Sequence, residues 1–348
     1  MNLIFRWQLL SLLILSFGSV STCAQSSFLD DLRLQSDLRD NDQQPVSADD
    51  TMDEESTQGR ALLDDATEFS GFESDYAPKF DNIDVPLVRH RTTSFQGAQA
   101  AYGFIPTSSS DGLGIQTFDL LGTFAVPIDG MDHVLTFTPF FRMDQLDAKG
   151  TLDVPDAIFE TGVKSFWKKV MNERFTTMVL LTPSVRSDFQ SGNDAFKLFG
   201  MALLQWRFIP DELSMTGGAI YTGRQDFPAL PMMGLLWTPS PEWKFDMQFP
   251  SPRFSRRILK DDHNSETWAY LGGVFGGNTW AIKRANGKDD QLTLRDLRLV
   301  LGVEHLLREN QGVFVETGWV FSRSVEYGSS PGQIDLGDAI MLRVGIQF

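Results

Sequence analysis

His263, in Lys260-Asp261-Asp262-His263-Asn264-Ser265, is the one histidine of four with carboxylates and a serine beside it in sequence. A base next to a hydroxyl is the minimum for nucleophilic catalysis. The same run is also what an exposed loop ordinarily contains. His90, His133 and His305 lack even that company. No Gly-x-Ser-x-Gly, His-Glu-x-x-His, phosphate loop or dinucleotide fingerprint occurs. Cys23 is the single cysteine, and no Cys/His spacing suits zinc, which excludes a disulfide scaffold and a zinc site. No cofactor and no enzymatic activity are expected.

The cations offer more. Arg253, Arg256, Arg257 and Lys260 could hold anionic headgroups or sugars, although a solvated loop just past Pro250 and Pro252 is the plainer reading. The net charge of the 348 residues is −16, and its location matters. Residues 25–86 hold 17 Asp and Glu against four Arg and Lys, which is −13 of that total. The remainder is nearly balanced, so no nucleic-acid partner is expected.

The elements that must position these residues fall into three parts. Residues 1–24 read as a signal peptide: Arg6, an apolar run from Leu9 to Phe17, then Thr22-Cys23-Ala24 before Gln25. The run is shorter than the roughly 20 residues of a membrane-spanning helix. Acylation of Cys23 is the weaker alternative, because Thr22 and Val20 stand where a lipoprotein signal prefers a small residue and leucine. Residues 25–85 read as an acidic tether, too poor in apolar side chains to repay ordering.

Residues 86–348 read as the barrel domain, and from about Ser94 to Phe348 the pattern is strand, turn, strand. Ile340, Leu342, Val344, Ile346 and Phe348 alternate with Met341, Arg343, Gly345 and Gln347. Leu297, Leu299, Leu301 and Val303 alternate with Arg298, Val300, Gly302 and Glu304. Period two gives each strand one apolar face. It suits a soluble sandwich as well as a membrane barrel. Strand length separates them: Ala195–Phe208 is a 14-residue stretch, whereas globular strands peak near about 5–6 and spanning strands need about 9–11. Aromatic residues also crowd the turns, as Trp237 and Trp243 do around Thr238–Glu242.

The expected fold is therefore all-β, an antiparallel up-and-down transmembrane barrel of about 14 strands, with 12 possible. Short links near 127–131, 168–172, 209–212, 238–242, Gly276–Asn278 and 306–312 alternate with longer ones. The longer set lies near 106–112, 144–155, 187–194, 222–230, Ser251–Ser265 and 325–336, joined by Asn286–Asp290. Short turns mark the periplasmic side, which puts both chain ends there. Pro139 and Pro183 weaken the strands that contain them.

The stretch Pro231-Met232-Met233-Gly234-Leu235-Leu236-Trp237-Thr238-Pro239 is followed by Trp243-Lys244-Phe245-Asp246 and Phe249-Pro250-Ser251-Pro252-Arg253. Together these resemble a family of uncharacterised, porin-like bacterial outer-membrane barrel proteins, over roughly residues 94–348 with the terminal Phe348. The resemblance implies a location and a fold, and no established chemistry. The partners expected are outer-membrane lipid and, through the last strand ending at Phe348, the barrel-assembly machinery.

The phase opposite the apolar stripe should line the lumen. It receives Arg142, Lys197, Arg207, Lys244, Arg298 and Arg343 as bases, and Asp119, Asp246, Glu304 and Glu316 as acids. Six bases against four acids would favour anions in a porin-like channel for small solutes. The rival reading is that these charges pair and close the barrel, leaving a non-conducting structural or adhesive protein. An outer-membrane hydrolase comes third. A small side chain at Gly302 should be tolerated unless the interior is tightly packed.

Overall fold

The computed structural model describes Leu87, Arg91 and residues 93–348, apart from 108–111, 131, 151, 211, 222–228, 249–250, 262–263 and 310. The expected signal peptide, the acidic tether, His90 and His263 lie outside the described residues. The first eight strands are β1 (Phe95–Ile105), β2 (Leu113–Pro127), β3 (His133–Ala148), β4 (Ala157–Val170), β5 (Phe175–Ser187), β6 (Phe196–Ile209), β7 (Leu213–Tyr221) and β8 (Ala229–Ser240). Then come β9 (Trp243–Asp246), β10 (Arg253–Asp261), β11 (Ser265–Gly276), β12 (Thr279–Lys283), β13 (Asp289–Leu307), β14 (Gln311–Tyr327), β15 (Ser330–Leu336) and β16 (Ala339–Gln347).

Fourteen of these strands close an antiparallel barrel; β12 and β15 are side pieces paired to β13 and β14. Closure joins β1 to β16, from Gln99 opposite Gln347 to Phe104 opposite Leu342. Phe348 completes the seam, its N–H donating to the Ala98 carbonyl at 2.9 Å and its own carbonyl accepting from Ala98 at 2.7 Å. A closed ring leaves no edge strand and satisfies the backbone without water.

The alternation resolves into two faces. Leu299, Leu301, Ile340 and Leu342 point outward at 50–69% exposure, while Val300 and Met341 between them are 4% exposed. Pro139 and Pro183 both point outward, and each interrupts the ladder on one side only. The β2–β3 pairing skips from Leu121↔Phe140 to Phe124↔Phe137, yet Pro139 still faces Val163. The β4–β5 pairing skips from Gly162↔Ser184 to Ser165↔Leu181, yet Pro183 still faces Leu198. A missing donor costs one neighbour, not the strand.

Two expected links are corrected. Ser251–Ser265 is not an outer loop, because Arg253–Asp261 forms β10 between β9 and β11. Arg253, Arg257 and Lys260 face inward, while Arg256 shares the outer face with Phe254 and Ile258, so the basic run is wall and not loop. Gly276–Asn278 is not a reversing turn. There β11 kinks and runs on as β12, in unbroken register against β13, from Gly276↔Asp296 to Thr279↔Thr293. Gly277 takes φ +97°, and a Cβ there would collide with the Leu294 carbonyl. One strand was missed and one side piece counted, so fourteen survived for compensating reasons.

The kink sends a hairpin across the long-loop mouth of the barrel. Ala281 on β12 pairs in parallel with Ser187 on β5, on the far side of the ring. Trp280, Ile282 and Leu292 are buried there in one cluster with Leu113, Ile158 and Tyr327. The mouth is bridged.

Candidate functional site

The inner wall carries the chemistry, and its two halves differ. On the half running from β10 through β16 to β3, charges form a connected belt. Arg142 Nε lies 2.8 Å from Asp144 and 3.9 Å from Asp119. Arg343 reaches Asp119 and Glu316 at 3.4 Å each. The Tyr270 hydroxyl donates to Glu316 at 2.7 Å. Arg253 stacks 3.5 Å over the Tyr270 ring and bonds Glu304 at 2.8 Å. Arg298 pairs with Asp296 at 2.6 Å. Guanidinium–carboxylate contacts of this kind are strong and geometrically specific.

Missing side chains make room for this belt. A Cβ at Gly302 would run into the Tyr270 ring, and one at Gly345 into the Phe314 ring. Arg253 then covers Tyr270, and Arg343 lies 5.1 Å over Phe314. Glycine, ring and guanidinium stack in that order twice. The interior is tightly packed at Gly302, the case in which a small side chain there was expected to be costly. A cavity of about 120 Å³ remains, lined by Asp119, Arg142, Arg253, Tyr270, Arg298, Glu316 and Arg343 among others.

The half from β4 to β8 carries an apolar cluster on its inner face, among the inward charges of β4, β5 and β6. Phe166, Met178, Leu180, Phe199, Met201, Leu203, Ile220 and Met232 form one cluster, all at 5% exposure or less. A water-filled bore would not leave such side chains dry.

The ten residues expected in the lumen all lie on the inner phase of their strands. Arg142, Arg298, Arg343, Asp119, Glu304 and Glu316 belong to the belt or pair beside it. Lys244 and Asp246 sit together on β9. Lys197 stands opposite Ser184 at the upper part of β6, and Arg207 opposite Ser214 at its lower end. The same phase holds seven further bases: Lys164, Lys168, Arg186, Arg253, Arg257, Lys260 and Arg323. It also holds four further acids: Asp144, Glu160, Glu266 and Asp296. The described inner wall thus has thirteen bases against eight acids. The signal for Lys164 and Lys168 was present, since both share the phase of Ile158 and Phe166, but apolar neighbours in that phase disguise it as outward-facing.

Polar contacts also pin the hairpin. Arg186, 4% exposed, donates from Nε to Glu160 at 2.9 Å and from Nη1 to Asn278 at 2.7 Å. Asn278 donates in turn to Glu160 at 3.2 Å. Asp188 accepts from the Lys283 N–H at 2.7 Å. At the tip Arg284 joins Asp153 at 2.6 Å and Asp290 at 2.9 Å. The Arg284 hydrogen bond holds the Asp153 carboxyl below its ordinary range. Partial burial works against ionised Asp290, but hydrogen bonds from Ser329, Gln291 and Arg284 outweigh it and hold that carboxyl low too.

The histidines are structural where described. His133 Nε2 accepts from Trp167 at 2.8 Å, and His305 Nδ1 lies 2.9 Å from the Thr267 hydroxyl. Among the described residues no group of three or more His, Cys, Asp or Glu could hold a metal ion.

The fold and its inner wall define a closed β-barrel with an internal charge belt. Residues 139–331 match the family described as "Domain of unknown function (DUF6268)", and the chain belongs to that family. No curated protein matches the sequence. Among solved structures, the β domain of the Bordetella autotransporter Brka is similar with a TM-score of 0.34 and 11% identity, covering 72% of this chain and 98% of that one. Pseudomonas aeruginosa OpdL scores 0.29 at 9% identity, over 72% of this chain and 96% of its own. Pseudomonas aeruginosa OccK5 (OpdH) scores 0.28 at 8% identity, with the same coverage. Likeness at this level says nothing of solute or activity.

Proposed function

We propose that the protein is an outer-membrane barrel with a narrow, anion-biased passage for small solutes, its chain ends periplasmic. The observation that carries this reading is the charge belt around the internal cavity, set in a wall with five more bases than acids. Charge on a lumen wall selects the sign of what enters. The apolar outer face, with Leu120, Leu301, Ile340 and Ile346 all about half exposed or more, supports lipid as its surroundings. The last strand, which closes the ring, supports delivery by the barrel-assembly machinery.

A non-conducting structural barrel is the second reading, and the bridged mouth favours it. Planar-bilayer recording in a salt gradient separates the two. Small conductance with an anion-selective reversal potential is expected. Cation selectivity or silence under all voltages would remove the channel reading. Recovery of the mature protein in a soluble periplasmic fraction would remove both.

A further inference from the structure

At the short-turn end two described residues ahead of β1, Arg91 and Leu87, are held by the barrel. Arg91 is fixed at that rim, its Nε donating to the Glu309 carbonyl at 3.0 Å in the β13–β14 turn. Its N–H is held by Gln96 at 3.1 Å. Leu87, four residues earlier, is 5% exposed, and its N–H donates to Glu266 Oε1 at 3.1 Å. Glu266 is on the inner face of β11, 1% exposed, and takes the Trp268 indole N–H at 2.9 Å. Arg257 and Lys260 stand 3.5 Å from the same carboxylate. Leu87 therefore lies on the inner side of the barrel wall.

Two properties of the wall define what would fit there. It has an excess of five bases, which in a confined, poorly solvated space demand counter-charge. It also has the dry apolar cluster on β4–β8. Residues 61–86 match both: seven Asp and Glu with one Lys, interleaved with Phe69, Phe72, Tyr76 and Phe80. We propose that the inner wall is a docking surface for this acidic, aromatic stretch of the same chain, entering past Leu87. Opposite charge steers the stretch in, and its rings supply apolar cover. The docking holds or fails whether or not the barrel conducts.

Chymotrypsin digestion of the full mature chain, refolded in detergent, tests it without any current being measured. Phe28 lies outside the docked stretch and serves as the internal control. At low salt, cleavage after Phe69, Phe72 and Tyr76 should be at least about tenfold slower than after Phe28, since proteolysis follows the released population. In about 1 M salt, where screening falls to about 3 Å, the difference should close. A second variant replaces Asp64, Asp65, Glu68, Glu73 and Asp75 by their amides, and should be cut quickly even at low salt. Equal rates at Phe28 and Phe69 in low salt would overturn the proposal. Protection indifferent to both salt and the amide variant would overturn its electrostatic basis.

Discussion

Two halves of one barrel wall solve the problem of facing inward in opposite ways. From β10 through β16 to β3 the inner side chains are Arg, Asp, Glu and Tyr, joined by bonds of 2.6–3.9 Å around a small cavity. From β4 to β8 a cluster of Phe, Met, Leu and Ile packs on itself, with Glu160, Lys164, Lys168 and Arg186 sharing its phase. Both halves alternate with period two, and both turn apolar residues outward. Alternation fixes which residues share a face; it does not say that the inward face is wet. A barrel can line one side of its interior with paired charges and pack the other with apolar side chains.

The largest expected effect comes where the halves meet. Glu160 on β4 neutralises Arg186, and both are almost fully buried at 1% and 4% exposure. Glu160→Ala leaves a buried guanidinium without its partner and should cost about 3–5 kcal/mol. Because Arg186 and Asn278 also lose their shared acceptor, the hairpin should loosen. Denaturant unfolding and amide exchange over 279–292 would report the two losses separately. A stable variant with a protected hairpin would show that the bridge does not depend on this triad.

Leu180 and Leu342 sharpen the comparison next. If the β4–β8 side were wetted like a pore wall, trimming Leu180 would be cheap. Packed at 1% exposure, Leu180→Ala should cost about 2–5 kcal/mol. Leu342→Arg, on the lipid face, should cost about 2–4 kcal/mol near the bilayer midplane. Smaller again is Gly302→Ser on the charged half, where the new side chain collides with Tyr270. Overpacking of that kind costs about 1–3 kcal/mol. Its signature is a displaced Tyr270, read as a changed conductance or a changed ring environment by NMR. An undisturbed ring would mean that the glycine cradle is roomier than it looks.

The barrel was legible from sequence because lipid leaves little choice: every spanning strand must alternate, and β16 and β13 do so without interruption. Ten inner charges, on β2, β3, β6, β9, β13, β14 and β16, were legible for the same reason. Those on β4 and β5 were not, since Lys164 and Lys168 share a phase with Phe166, and Arg186 one with Leu180. Which residues count as link was decided wrongly twice, at Arg253 and at Gly276. Prolines before β10 suggested a loop, and paired glycines suggested a turn. In both cases hydrogen bonds to distant strands, which no local pattern records, won over local propensity. The hairpin across the mouth was invisible because its partner on β5 is about ninety residues away in sequence.

The smallest expected effect lies at the tip of that hairpin, outside the wall. Arg284 bridges Asp153 and Asp290, with Asp153 accepting also from the Ala285 N–H at 3.1 Å. Both carboxyls titrate below their ordinary value of 3.8 when folded. A depressed carboxyl stabilises the folded hairpin fully above its unfolded pKa, and the contribution disappears as pH falls through the folded pKa. The clamp should therefore be indifferent to pH from 8 to 5 and should weaken only on acidification below 3.8. Partly exposed pairs contribute little, about 0.2–1 kcal/mol, so the hairpin should breathe more often without unfolding the barrel. Hydrogen exchange of residues 281–294, compared between wild type and Arg284→Gln, is the direct readout. The variant should exchange a few-fold faster at neutral pH and lose most of the acid response. If both chains kept equal protection at pH 7 and responded equally to acid, the tip pairs would be ornaments of the surface, and the bridge would rest on the buried contacts of Trp280, Ile282 and Arg186 alone.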